Sequence, residues 1–233
     1  TIWETQITSL TDQFVGVGYI TEILGPDGAS SAWQQGDNDA QLSFKISEYS
    51  IAAFTADVVT PLEIGGVPVT WDDDDDPATP NVPVLTSEST LVTASSVDYL
   101  GASLWTDAMM NTASALFFTG GKVDVYVDSM STGTVLDPVT SSGQVEDIAK
   151  ATDGDEWLNL VGHADPLTGY TLGATAGTTG FAITSGVGTG LYDVVATGLG
   201  LANSNYNTDS QADGSDISGT FTYNPIVSSN WDL

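Results

Sequence analysis

The sequence predicts an all-β protein: a single antiparallel β-sandwich or jelly roll over residues 1–233, with long loops and at most one or two short helices. Three observations point there. Apolar residues recur at every second position in several segments, which is the period of a strand with one buried face. Clusters of Gly, Pro, Asn, Asp and Ser separate these segments, in "GPDGASS", "QQGDNDA", "GTTG" and "SQADGSD". Helical periodicity is confined to one or two short stretches. With 233 residues and 41% hydrophobic content, the chain can bury one sizeable core. Short strands joined by turn clusters suit a sandwich best.

The elements follow in order. "TIWETQIT" reads as a terminal strand with Trp3, Thr5 and Ile7 on one face. In "FVGVGYITEI", Val15, Val17, Tyr19 and Ile23 share a face. In "QLSFKIS", Leu42, Phe44 and Ile46 oppose a wet face of Gln41, Ser43, Lys45 and Ser47. Residues 68–98 are rich in Pro, Asp, Ser and Thr and read as a long acidic excursion from the main sheet. Within it, "TWDDDDDPATP" reads as a solvated loop tip. Successive side chains of an extended chain point to opposite faces, so five aspartates do not converge on one ion. Pro77 and Pro80 hold the segment out of regular sheet. "SLWTDAMMNTAS" has room for a helical turn, with strand or loop nearly as good. "SALFFTGGKVDVYVD" reads as a hairpin turning at Thr-Gly-Gly, with Val123, Val125 and Val127 facing away from Lys122, Asp124, Tyr126 and Asp128. "GQVEDIAKAT" is the best helix, with Val145, Ile148 and Ala149 at helical spacing. "WLNLVGHA", "GFAITSG", "LYDVVATG" and "GTFTYN" supply the remaining strands.

Charge narrows the function. Thirty-one acidic residues face three lysines, Lys45, Lys122 and Lys150, for a net charge of −28. A surface of this sign repels phosphate, so nucleic acid is excluded as a partner and anionic membrane surfaces are disfavoured. No apolar run reaches the roughly 18 residues of a spanning helix. Cysteine is absent, which removes disulfides, thiolate catalysis and Zn–Cys sites. The chain begins at Thr1, which suits a processed product such as signal-peptide removal leaves, and an arbitrary boundary would look the same.

Catalytic chemistry finds little support. His163 is the one histidine, so a nucleophile–base triad would need it, and no GxSxG elbow is present. It reads as a structural or surface histidine. "TSGVGTG" lacks the Lys of a phosphate loop. Carboxylate pairs abound, but 31 acids place some pair at glycosidase spacing by chance. A glycoside hydrolase is therefore a distant third reading, and no enzymatic activity is expected.

Calcium fits better, because it takes six to eight oxygen ligands from Asp-rich turns. "DNDA" (Asp37, Asp39), "TDGDEW" (Asp153, Asp155, Glu156) and "DGSD" (Asp213, Asp216) space carboxylates suitably. Asp153, Asp155, Asp213 and Asp216 are the metal candidates, with solvated turn aspartates the alternative. No cofactor is required, and Ca2+ is the one candidate ion. The six tryptophans (Trp3, Trp33, Trp71, Trp105, Trp157, Trp231) read as core side chains, with sugar stacking as the alternative.

Five segments together carry a family resemblance: "LSFKISEY", "GGKVDVYVD", "ATDGDEWLNLVGH", "SGVGTGLYDVV" and "YNTDSQADGSDISGTFTYNP". In order and wording they resemble the secreted bacterial PEP-CTERM proteins, particularly the flocculation-associated group. The resemblance implies export, exosortase-type sorting and a role in extracellular matrix, aggregation or biofilm. The family's Pro-Glu-Pro, hydrophobic helix and basic tail are not in this sequence, which ends "SSNWDL". The resemblance carries no catalytic residues.

The expected function is a secreted, extracellular or cell-surface structural protein of a matrix or filament. Its partner is itself, through strand addition by residues 1–10; an ordinary edge strand is the alternative there. The runner-up is a Ca2+-dependent carbohydrate-binding or adhesin module, with extracellular polysaccharide as partner.

Overall fold

The computed structural model of the chain describes residues 2–4, 9–24, 29–64, 67–71, 82–137, 143–176 and 186–223. The aspartates of "TWDDDDDPATP", most of "GFAITSG" and Trp231 lie outside them. The strands are β1 (Ile2–Glu4), β2 (Gln13–Ile20), β3 (Glu22–Leu24), β4 (Ser31–Gln34), β5 (Ala40–Pro61), β6 (Glu63–Ile64), β7 (Val67–Pro68), β8 (Thr70–Trp71), β9 (Val82–Pro83), β10 (Leu85–Val92), β11 (Ala115–Ser129), β12 (Asp155–Gly162), β13 (Leu172–Ala176), β14 (Gly186–Val194) and β15 (Ile217–Tyr223). The helices are α1 (Asp107–Met110), α2 (Gln144–Ala151) and α3 (Asn203–Tyr206). This is the predicted antiparallel all-β sandwich class. It has one described helix more than expected, and α1 and α3 are single turns.

One nine-stranded sheet draws on strands from β1 to β15. Its spine is the pair β5–β11, which runs from Thr55↔Ala115 to Ala40↔Ser129 with a register shift between Phe117 and Phe118. Beyond β5 lie β2 with β1 outside it, and β10 farther along the same strand. Beyond β11 lie β12 and β13, each covering half of that strand. β14 spans both, and β15 lies outside β14.

The predicted hairpin at Thr-Gly-Gly does not form: β11 runs straight through it. Gly120 and Gly121 take φ 74° and 101°, and Glu48 on β5 takes φ 62°. The glycines bend both spine strands at one place instead of reversing the chain. A Cβ on Gly120 would sit 2.7 Å from the Glu48 carbonyl oxygen, and one on Gly121 would strike the Tyr49 ring. Only glycine fits a left-handed conformation with this close approach.

The bend separates two cores. On one side Tyr49, Ile51, Phe54, Val58, Val92, Met110, Leu116 and Phe118 pack together. Trp105 closes this cluster, stacked on Phe54 at 5.4 Å. On the other side Leu42, Val125, Leu158, Leu160 and Val194 pack with Phe44, Trp33 and Trp157. Ile23 joins this second core, away from Val17 and Tyr19, because Thr21 breaks the strand between them.

Three expectations need correction. The "wet" face of β5 is covered: Gln41 and Ser43 are 2% exposed. Gln41 exchanges bonds with the Leu136 backbone, and Ser43 donates to the Ala151 carbonyl. Helix α2 lies over this face in a rotated phase. Asp147 and Ala151 are buried with Ile148 packed beside them, while Val145 is exposed. The 68–98 stretch is not wholly an excursion, because β10 pairs with β5 through eight residues. Its outward Ser, Thr and Glu side chains disguise it as loop. At the sheet margin β1 pairs with β2 of its own chain, at Ile2↔Gly18, Trp3↔Val17 and Glu4↔Gly16.

Candidate functional site

Two polar constellations join residues far apart in sequence. The first surrounds His163. β12 ends at Gly162, and the His163 N–H bonds the Leu191 carbonyl at 2.8 Å, which fixes the side chain beside β14. Its Nδ1 lies 2.8 and 2.9 Å from the two carboxylate oxygens of Asp193. The Asp193 carboxylate foremost holds the imidazole above its ordinary pKa, against an opposing effect of burial.

Residues 207–216 form a turn near the ring, where a Cβ on Gly214 would lie 4.0 Å from the His163 Cε1. Asp216 organises the turn. One carboxylate oxygen accepts the Val194 N–H at 2.8 Å, and the other accepts Asp209 N–H at 2.6 Å and Thr208 N–H. Burial opposes ionisation of Asp216, but the three N–H donors and nearby His163 hold its carboxyl below the usual range. Asp213 accepts the Ser215 hydroxyl at 2.7 Å and its N–H at 2.9 Å, and these bonds lower its pKa. Asp165 accepts the Leu167 and Thr168 N–H groups, both at 2.8 Å, with the same effect.

Two of the four metal candidates thus meet beside the one histidine. Their described bonds come from N–H and O–H donors of their own turn and of β14. Asp153 and Asp155 are exposed at the opposite end of β12. Eight strand residues put the two pairs about 25 Å apart, so they do not form one site. Among the described residues, no group of three or more His, Cys, Asp or Glu side chains is arranged to hold a metal ion. The "DNDA" and "TDGDEW" turns both abut the C-terminal end of β11. Asp39 accepts the Ser129 hydroxyl at 2.7 Å and the Ser131 hydroxyl, and the Ser131 and Ser129 bonds lower its pKa. A Cβ on Gly154 would lie 3.2 Å from that of Asp128.

The second constellation is buried and uncharged except at one end. Lys122 Nζ lies 2.8 Å from Asp124, which is 5% exposed. Asp124 accepts the Asn159 side-chain N–H at 3.0 Å. Asn159 accepts the Gly200 N–H at 3.0 Å and the Asn203 amide at 3.2 Å. Asn203 in turn accepts the Asn159 backbone N–H at 2.9 Å and donates to the Val195 carbonyl at 3.0 Å. This chain fastens α3 and its preceding loop to the margin of β12, where β14 does not reach. Outside it lies a cleft of about 370 Å³ lined by Ala196, Gly198, Gly200, Asn203, Ser204 and Asn207. Trp157 and Tyr206 meet edge to face at 5.8 Å and pack on the second core.

Sequence reasoning missed this network. Its signals were an aspartate inside an alternating strand and the Asn-rich "LANSNYN". Trp33, Trp105 and Trp157 pack in the cores, as expected of them. No family model, curated protein or solved structure matches the chain. No described helix is long and apolar enough to cross a membrane.

Proposed function

We propose that this chain is a secreted structural protein of the extracellular matrix or of a surface filament, with subunits joined by β-strand addition. The observation that carries the reading is the placement of β1. It lies at the margin of the sheet and touches it through three register pairs with β2. The same antiparallel pairs form whether β1 belongs to the same chain or to a neighbour, and exchange between identical subunits makes head-to-tail polymers. β10 and β15 leave two further margins, and neither "LTSESTLV" nor "ISGTFTY" contains the Lys or Pro that commonly guards an edge. The resemblance to PEP-CTERM proteins supports the same reading. The charge of −28 supplies a control, since acidic faces repel until salt or Ca2+ screens them. The reading assigns the chain no catalytic activity.

Electron microscopy of the purified protein tests it. Regular fibres are expected in moderate salt. Dispersed monomers across salt and Ca2+ conditions would sink the reading. Deleting residues 1–8 tests the connector; fibres that assemble unchanged would exclude the N-terminal strand. That cut spares Leu10, which packs on the core and whose N–H bonds Asp107 at 2.9 Å.

A second reading, a Ca2+-dependent carbohydrate-binding or adhesin module, draws on the neutral cleft lined by Asn203, Ser204 and Asn207. Amide and hydroxyl groups suit sugar hydroxyls. Polysaccharide pull-down that chelator abolishes would favour it over the filament.

A further inference from the structure

We propose that the outer face of one half of the sheet, β10–β5–β11–β13–β14–β15, is a docking surface for a second copy of this chain. Two copies pack there sheet on sheet, each supplying the layer that the other lacks. The contact uses a face where strand addition uses an edge. The proposal therefore goes beyond the filament reading and does not depend on it.

Directly opposed residues of an antiparallel pair point to the same side of a sheet, so register locates the face. One row crosses five strands as Leu91, Thr55, Ala115, Thr175 and Val187. The next carries Phe117, Thr189 and Thr220. Along the β5–β10 ribbon the same side continues to Val59 and Leu85. The row between the first two, Val92, Phe54, Leu116 and Ala174, points the other way and is buried in the core. On the outer side Leu85, Val59, Leu91 and Val187 are each about half exposed, and Thr175, Thr189 and Thr220 are exposed. Phe117 is half-buried, with Tyr170 stacked on it at 5.0 Å. Apolar side chains grouped on one uncovered face mark an interaction surface.

Charge selects the occupant. With −28 on each chain, most contacts between copies bring acid against acid. A cationic partner is drawn to the acidic faces instead. Among the described residues of these rows Asp57 is the one charged side chain, so two copies meet here with least repulsion. Aliphatic and threonine side chains suit their own kind, so a two-fold axis serves both copies alike. The area suffices. Five strands about 4.8 Å apart and two rows about 6.7 Å apart, with the ribbon beyond them, cover about 500 Å². Two copies then bury about 1,000 Å², the lower bound of a specific interface. A contact of that size depends on salt to screen the like charges around it.

Sedimentation velocity of the full chain tests the proposal, on the supernatant left after any fibres are pelleted. A monomer–dimer equilibrium is expected, tightening as salt rises from about 0.01 to 0.15 M. Leu91→Glu and Val187→Glu should each weaken the dimer about tenfold or more, because each puts two carboxylates into an apolar contact. Both side chains are half exposed in the single chain, so the melting temperature should hold. Val145→Glu controls for added charge, since Val145 is exposed on α2, over the other half of the spine. A wild-type chain that stays monomeric at every salt and concentration overturns the proposal. So does a dimer that survives both face variants, dissociates equally in Val145→Glu, or weakens as salt rises. Polysaccharide pull-down covers the rival occupant. A monomeric chain that binds glycan, and loses it in Val187→Glu, hands the face to a sugar polymer. Fibres that persist in the face variants leave strand addition standing, so the two ideas fail separately.

Discussion

At the residue scale, glycines at positive φ divide into two kinds. Gly121 has the Tyr49 ring against it, with the Tyr49 hydroxyl buried beside Tyr192 and pushed up by that burial. Gly169 also has a left-handed φ, of 76°, but nothing lies within 4 Å of its added Cβ. Gly121→Ala should therefore cost about 2–3 kcal/mol, from overpacking as well as backbone strain. Gly169→Ala should cost about 1 kcal/mol, from strain alone. Urea unfolding of the two variants measures the difference; equal costs would mean the bend tolerates a methyl. Asp124→Ala should cost about 2–3 kcal/mol, because the buried Asn159 amide and Lys122 lose their acceptor. The sequence showed Asp124 as a polar position in an alternating strand. It did not show that the position was covered, because the covering loop comes from residues 195–206. His163 was equally opaque: a lone histidine looks bland until the fold sets Asp193 and Asp213 around it.

At the element scale, strand period was legible and strand fate was not. "TGG" has hairpin composition, and β11 nonetheless continues, because Glu48 of β5 bends at the same level and keeps the partner in register. Helix α2 was legible in position and wrong in phase. Its inward face includes Asp147, a charged residue that hydropathy assigns to solvent. β10 hid because its core contact is mainly Val92, while Leu85 and Leu91 are exposed. For β1, three register pairs predict a separable contribution. Removing residues 1–8 should leave the melting temperature of the dispersed chain nearly unchanged while fibres disappear. A large fall in melting temperature would instead make β1 part of the folding unit.

At the scale of the whole molecule, composition spoke most plainly. A charge of −28 opposes compaction at low ionic strength. The screening length shrinks from about 30 Å at 0.01 M salt to about 8 Å at 0.15 M. The melting temperature should rise by several degrees over that range in scanning calorimetry, and a flat response would mean the charges are already well separated. The all-β class was readable from periodicity. The sheet order was not, because β14 bridges β12 and β13 and β11 reaches back to β5, and such distant pairings leave no local mark.

The unequal lengths of these pairings also set how the molecule yields to force. A pull on the N terminus meets β1 first, and three residue pairs release easily, at the low end of local opening energies. The load reaches the long β5–β11 spine only later. A dispersed subunit pulled from this end would lengthen a little at its margin and recover before its core is at risk, as a sacrificial link protects a rope.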